Sequence, residues 1–482
     1  AHFVKQFKLV VISAHDSPDP PVGDHWYDEG EAIDASVSSP ADESDGTRYR
    51  CTGWSGTGSV PASGSTTSVS FTITEPSTIT WNWIVQYKLT VTSDHDSPDP
   101  SVGEHWYDAG TEIVASVTSP ADQVGGTRYR CTGWSGTGSV PASGTGTSVP
   151  FTLGAPSTIT WNWITQYKLT VASDHDSPSP AVGDHWYDTG ASVTASVTSP
   201  ADESEGTRYR CTGWTGTGSV PTSGTSTSLD LTINTPSTLT WNWITQYRLI
   251  VESDHDTPLP AVGEHWYDED ESINASVESP AEESGCTRYR CTGWSGTGSV
   301  PATGTDTSVS FVINAPSSIT WNWIPQHQLT IVNGGHGIAT PASGGWYDEG
   351  EWVTITMGSD TTSNSTGTRY LFASWSGSGL GSYSGTANPC TVQMNGPITQ
   401  VASWKTQYYL TMSTNFGDVS PDSGWYDAGS IVAIEANPPA VAAGNGYIWH
   451  GWTGTGEESY SGFDNPSTVT MNSAISETAY WK

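Results

Sequence analysis

Apolar and polar residues alternate along this chain in short bursts, and no helical stripe of useful length appears. Lys88-Leu-Thr-Val-Thr, Glu112-Ile-Val-Ala-Ser-Val, Thr127-Arg-Tyr-Arg-Cys-Thr-Gly-Trp, Thr147-Ser-Val-Pro-Phe-Thr-Leu and Thr158-Ile-Thr-Trp-Asn-Trp all read as strands, because a period of two sends alternate side chains to one buried face. His105-Trp-Tyr leads into an Asp-x-Gly turn. Clusters of Gly, Ser, Pro and Asp separate the bursts, Asp suiting Asx-turns and Gly supplying positive φ. The expectation is an all-β protein built from about five or six strands per repeat.

The pattern recurs along the whole chain. Gln6-Phe-Lys-Leu returns as Gln86-Tyr-Lys-Leu, Gln166-Tyr-Lys-Leu, Gln246-Tyr-Arg-Leu, Gln326-His-Gln-Leu and Gln407-Tyr-Tyr-Leu. This predicts six modules of about 80 residues: 1–85, 86–165, 166–245, 246–325, 326–406 and 407–482. The first four are near-identical and the last two diverge, so what the last two keep marks the fold. They keep Trp-Tyr-Asp (Trp26, Trp346, Trp425), Trp-(Ser/Thr)-Gly (Trp54, Trp375, Trp452) and a closing Trp (Trp83, Trp404, Trp481). Trp81-Asn-Trp-Ile-Val-Gln-Tyr-Lys-Leu crosses a module boundary with no Gly, Pro or Ser-rich linker. The predicted architecture is therefore six small antiparallel β-sandwich or β-grasp-like modules in a stiff rod, since so short a β-prone connection limits swivelling.

The motifs Tyr408-Tyr-Leu-Thr-Met, Gly424-Trp-Tyr-Asp-Ala-Gly, Gly446-Tyr-Ile-Trp-His-Gly-Trp and Asn465-Pro-Ser-Thr-Val-Thr-Met, closing on Ala479-Tyr-Trp, resemble the divergent internalin-B-type repeats of prokaryotic surface proteins. The resemblance implies a β-rich module at the cell surface and carries no catalytic residues.

Composition narrows the function. The chain holds 16 Lys+Arg against 50 Asp+Glu, a net charge of −34, which argues against nucleic acid or anionic membranes as partners. No run approaches 18 apolar residues, so no membrane insertion by a helix is expected. The 24 Trp and 20 Tyr oppose disorder despite a hydrophobic fraction of 34%. Leader, lipidation and sorting motifs are not visible, which suits a processed or excised form.

Candidate chemistry concentrates in one hairpin. Each of the first four modules gathers two His and two carboxylates there: His15, Asp16, Asp24 and His25; His95, Asp96, Glu104 and His105; His175, Asp176, Asp184 and His185; His255, Asp256, Glu264 and His265. Such a set suits a cation, calcium ahead of zinc in so acidic a chain; the plainer reading is an acidic hairpin stiffened by Pro. The strand carrying Arg48 and Arg50 (copies Arg128/Arg130, Arg208/Arg210 and Arg288/Arg290) is expected to pair with nearby carboxylates. The Trp-Tyr-Asp aromatics are a structural feature first and a sugar-stacking platform second.

The cysteines carry a size exchange. Where the first four modules have Cys51, Cys131, Cys211 and Cys291, the last two have Phe372 and Trp449; where the former have Trp81, Trp161, Trp241 and Trp321, the latter have Ala402 and Ala479. Cores conserve volume, so each Cys is expected in one core with its Trp, as a free thiol or, alternatively, in a disulfide. Cys286 and Cys390 remain, in adjacent modules, either as an inter-module disulfide or as two isolated thiols.

No His-Glu-x-x-His, nucleophile elbow, Walker sequence or haem motif occurs, and near-identical copies suit extension or avidity better than catalysis. Sequons stand at Asn274 and Asn364. Residues 1–5 align with the end of a preceding module's last strand, with Phe3 at the closing-Trp position, so Phe3 and Val4 are candidates for docking on another copy. The expected function is non-enzymatic: an extracellular filament or stalk subunit polymerising with itself head to tail, or else a multivalent adhesin or glycan-binding array.

Overall fold

The computed structural model describes residues 2–358, 367–440 and 446–482. By internal contacts it divides into two compact units, Ala1–Glu203 with Arg208–Ile244, and Ser204–Thr207 with Thr245–Lys482. Among the described residues every regular element is a strand. The sequon Asn364 lies outside them; Asn274 lies on an edge-of-module strand, where its Oδ1 accepts from Ser310 Oγ at 2.6 Å.

Module one shows the plan. Its strands are β1 (Gln6–Ile12), β2 (Gly23–Asp28), β3 (Ala32–Ser36), β4 (Ala41–Ser44), β5 (Thr47–Thr57), β6 (Ser63–Gly64), β7 (Ser68–Thr72) and the first half of β8 (Ser77–Ser93). The main sheet runs β2–β1–β8–β5, with β4 and β6 attached to β5. A second layer, the antiparallel pair β3–β7, covers it. Between the layers lie Leu9 and Val11 of β1, Ile33 and Ala35 of β3, Cys51 and Trp54 of β5, Phe71 of β7, and Ile79 and Trp81 of β8. The same core recurs in every module.

Two features depart from the sequence reading. The short β4 and β6 are too brief for alternation to reveal. The module is also not wholly antiparallel: β1 and β8 pair in parallel, Leu9 opposite Ser77 through Ile12 opposite Thr80. The cause is that a single strand serves two modules. Ser77–Ile84 closes module one, and Gln86–Val91 opens module two by pairing with β9 (Gly103–Asp108). Consecutive through-strands run in one direction, so where they overlap they must lie parallel. The same overlap recurs between the strands Ser77–Ser93 and Ser157–Ala172, and between Ser317–Val332 and Ile398–Thr414.

The size exchange has a geometric account. Cys51 and Trp81 share one core, and the Trp81 ring meets Trp54 edge-on at 5.9 Å. In the last two modules the aromatic at the Cys position takes over as the neighbour of this central ring: Phe372 lies 5.2 Å from Trp375, and Trp449 lies 5.6 Å from Trp452. Opposite it, Ala402 and Ala479 leave the room. The central Trp thus keeps an aromatic neighbour from one strand or the other.

All six cysteines are free thiols. A Cys286–Cys390 disulfide is not made: Cys390 sits in the core of module five opposite Ile355, while Cys286 is exposed in a turn at φ +62°. One is sealed behind packed side chains that the other does not reach.

Candidate functional site: the module junction

The acidic hairpin resolves into four separate structural duties. His15 Nδ1 meets Asp42 at 2.9 Å, and its ring stacks on Tyr49 at 3.4 Å and stands edge-on to Trp83 at 5.9 Å. Asp16 accepts a hydrogen bond from the Ser38 backbone N–H at 2.6 Å. Asp24 pairs with Lys8 at 3.3 Å, while His25 turns to the Pro21 carbonyl. The copies repeat this: His95 with Asp122, His175 with Asp202 and His255 with Glu282, and Glu104, Asp184 and Glu264 with Lys88, Lys168 and Arg248. Asp96, Asp176 and Asp256 cap backbone amides as Asp16 does, and His105, His185 and His265 bond backbone carbonyls.

Among the described residues no three of His, Cys, Asp and Glu converge on one point. The expected ion-binding cluster is therefore not assembled. Asp24 and His25 are neighbours on β2 and so face opposite ways, His15 and Asp16 lie in the bend before it, and each carboxylate already has a cation or an amide. The carboxylates that receive the hairpin histidines, Asp42 and its copies, were not among the sequence candidates.

The stack explains a residue the last two modules treat differently. Trp83 Nε1 donates to Ser13 Oγ at 3.0 Å, tying the closing strand to the hairpin entrance. Module five keeps His336 stacked on Tyr370 at 3.6 Å, with Trp404 Nε1 donating to the Asn333 carbonyl. His336 is thus the one hairpin histidine that the His–Tyr–Trp stack requires.

The Arg-Tyr-Arg strand performs the most consequential work. The first half of β5 pairs with β8 across the module boundary, Arg48 opposite Gln86 and Arg50 opposite Ile84. Arg50 Nε and Nη2 grip Asp108 of the next module's Trp-Tyr-Asp at 3.1 and 2.5 Å, and Gln86 Nε2 donates to the same carboxylate at 2.8 Å. Arg48 donates to Gln86 Oε1 at 2.9 Å and lies over the Trp106 ring at 4.2 Å. A bidentate, charge-assisted pair of this kind fixes orientation as well as adding energy. The arginine bonds hold the Asp108 carboxyl below the usual carboxylate range. The sequence reading expected these arginines to pair locally; Arg48 does reach Glu43 at 4.0 Å, whereas the partner of Arg50 lies 58 residues on.

The clamp recurs within each unit. Arg128 and Arg130 act on Gln166, Trp186 and Asp188, and Arg288 and Arg290 act on Gln326, Trp346 and Asp348. The fifth junction keeps the interaction by other means. Leu371 replaces the second arginine, and Lys405 stands on the facing strand where Ile84 stands in module one. Lys405 Nζ reaches Asp427 at 2.8 Å, Gln407 bonds it at 2.8 Å, and Arg369 covers Trp425 at 4.6 Å. Cation and aliphatic residue have exchanged strands, and the salt link survives. That reciprocal exchange was visible in the aligned modules and is the signal that would have found the clamp.

At the N-terminal face Gln6 Nε2 bonds Asp28 at 3.0 Å, as Gln86 bonds Asp108, but Trp26 is 63% exposed. Phe3 and Val4 are 95% and 61% exposed and belong to no strand. At the other end Ile448 and Lys482 exchange backbone hydrogen bonds, reproducing the Leu371–Lys405 pair.

No curated protein and no solved structure matches this chain. No helix among the described residues is long and apolar enough to cross a membrane. Residues 408–482, the sixth module, match the family model described as the divergent InlB B-repeat domain, and the tandem modules that share its Trp-Tyr-Asp, Trp-(Ser/Thr)-Gly and closing-Trp motifs give the chain the character of a surface repeat protein.

Proposed function

We propose that this chain is an extracellular structural protein, a subunit of a surface filament or stalk that joins head to tail through strand contacts. The observation that carries this reading is the junction. A 16- or 17-residue strand passes through the boundary without a linker, and a cation–carboxylate clamp closes over it. Such a connection transmits orientation from one module to the next and serves extension rather than catalysis. Module one offers the receiving half of a clamp in Gln6, Trp26 and Asp28, and module six offers a donor half in Ile448 and Lys482. Electron microscopy of the purified chain tests the reading. End-to-end polymers are expected, lost in Asp28→Lys and in Lys482→Glu and restored in the double reversal. Monomers under all conditions would reject it.

A groove favours a second reading, a glycan-binding array. Where module two meets module three, Gly126, Lys168, Thr170, Trp186 and Pro236 line an open groove of about 530 Å³. A related groove at the fifth junction is lined by Gly367, Tyr409 and Thr411. An aromatic ring beside hydroxyls and a cation suits a sugar. Oligosaccharide binding weakened at least ten-fold by Trp186→Ala would move the assignment to this reading.

A further inference from the structure

Position 79 of β8 and its copies face the glycine of Trp-(Ser/Thr)-Gly across the sheet, Gly56 opposite Ile79, Gly377 opposite Gln400 and Gly454 opposite Glu477. The first four modules place an aliphatic residue there: Ile79, Ile159, Leu239 and Ile319, all fully buried. Module six places a carboxyl group in the same apolar setting. Glu477 has no exposed surface. Its Oε1 accepts one hydrogen bond, from the Tyr460 backbone N–H at 2.7 Å, and its Oε2 has no partner.

Among the described residues the structure shows no charged partner for it. On the neighbouring strands His450 and Glu435 are exposed, as are Glu457 and Glu458 in the following turn. The facing part of the strand Ile398–Thr414 contributes Leu410, Met412 and Ser413. The Tyr460 hydroxyl accepts a hydrogen bond from the Asp464 backbone N–H at 3.0 Å and carries no charge. An ionised carboxylate with a single donor in such a site is strongly disfavoured.

We propose that Glu477 makes module six a pH-responsive element, in which the neutral carboxyl lets the strand Ile475–Trp481 close and the ionised one opens it. This strand is held on both sides, by Trp449–Thr455 and by Ile398–Thr414, so opening frees two strand edges. Burial pushes the carboxyl up to about 7. The folded module therefore holds a proton that the open form releases above about pH 4.3. Closure is favoured at low pH, weakens as pH rises toward 7 and changes little above it.

Hydrogen exchange on the full chain between pH 5.5 and 8.5 tests this. Exchange in residues 475–481 is divided by exchange in the matching residues 157–163 of module two, where Ile159 replaces the acid, which cancels intrinsic base catalysis. The ratio should rise about ten-fold per pH unit up to pH 7 and then level, as linkage of one proton requires. Glu477→Gln and Glu477→Ile should both flatten it; the second installs the residue module four carries at Ile319. A flat ratio in the parent chain, or a slope that persists in Glu477→Gln, overturns the proposal.

Discussion

The smallest decisive unit here is a single carboxylate. Asp108, Asp188 and Asp348 end the Trp-Tyr-Asp motif, and each receives two guanidinium N–H groups from the preceding module. The motif was legible in the sequence as a recurring turn, but its purpose was not, because its partner lies 58 residues earlier. Replacing Asp188 by Asn should cost about 1 kcal/mol in a thermal or urea melt, the pair being part-exposed and so worth less than a buried one. The Arg130 bonds lower the Asp188 carboxyl. A group lowered in the folded state stabilises fully above its unfolded value of about 3.9 and loses that contribution as pH falls. The acid limb of the stability curve should therefore be shallower in Asp188→Asn. An unchanged acid limb would show that the clamp adds no stability.

At the scale of the strand, steric room is as specific as charge. Between Cys51 and Gly53 the β5–β8 register slips by one residue. Gly53 sits at φ +118°, and a Cβ there would run into the Gly64 carbonyl. A Cβ on Gly64 would in turn run into the Trp54 ring. Gly64→Ala should cost about 1–3 kcal/mol by overpacking, measured against the unaltered sister modules. The paired strands Thr368–Ser378 and Ile398–Thr414 supply a second test. Lys405→Ile alone should weaken the fifth junction, and adding Leu371→Arg should restore it, a positive coupling in a double-mutant cycle. Additive effects would mean that the two positions are independent. Alternation located the long strands correctly because each has one face in the core. It missed β4 and β6, which are held by neighbours rather than by a pattern of their own. It grouped the hairpin His and carboxylates by nearness in sequence, whereas the bend after β1 sends His15 to Asp42 and β2 sends Asp24 to Lys8.

At the scale of the whole molecule, repetition was the easiest property to read and the boundary the hardest. The expected break at residue 85 falls inside β8, so a module has a core of its own but no strand set of its own. That sharing has a mechanical meaning. A module is entered along β1 and left along β8, and these two strands run parallel with four residue pairs between them. Tension on the chain therefore loads those hydrogen bonds together in shear, rather than peeling them one at a time. Stretching a single molecule should give abrupt ruptures, each releasing up to roughly 280 Å of an 80-residue module at about 3.5 Å per residue. Gradual extension at low force would contradict this. A surface protein so threaded would hold its length under flow and fail one module at a time.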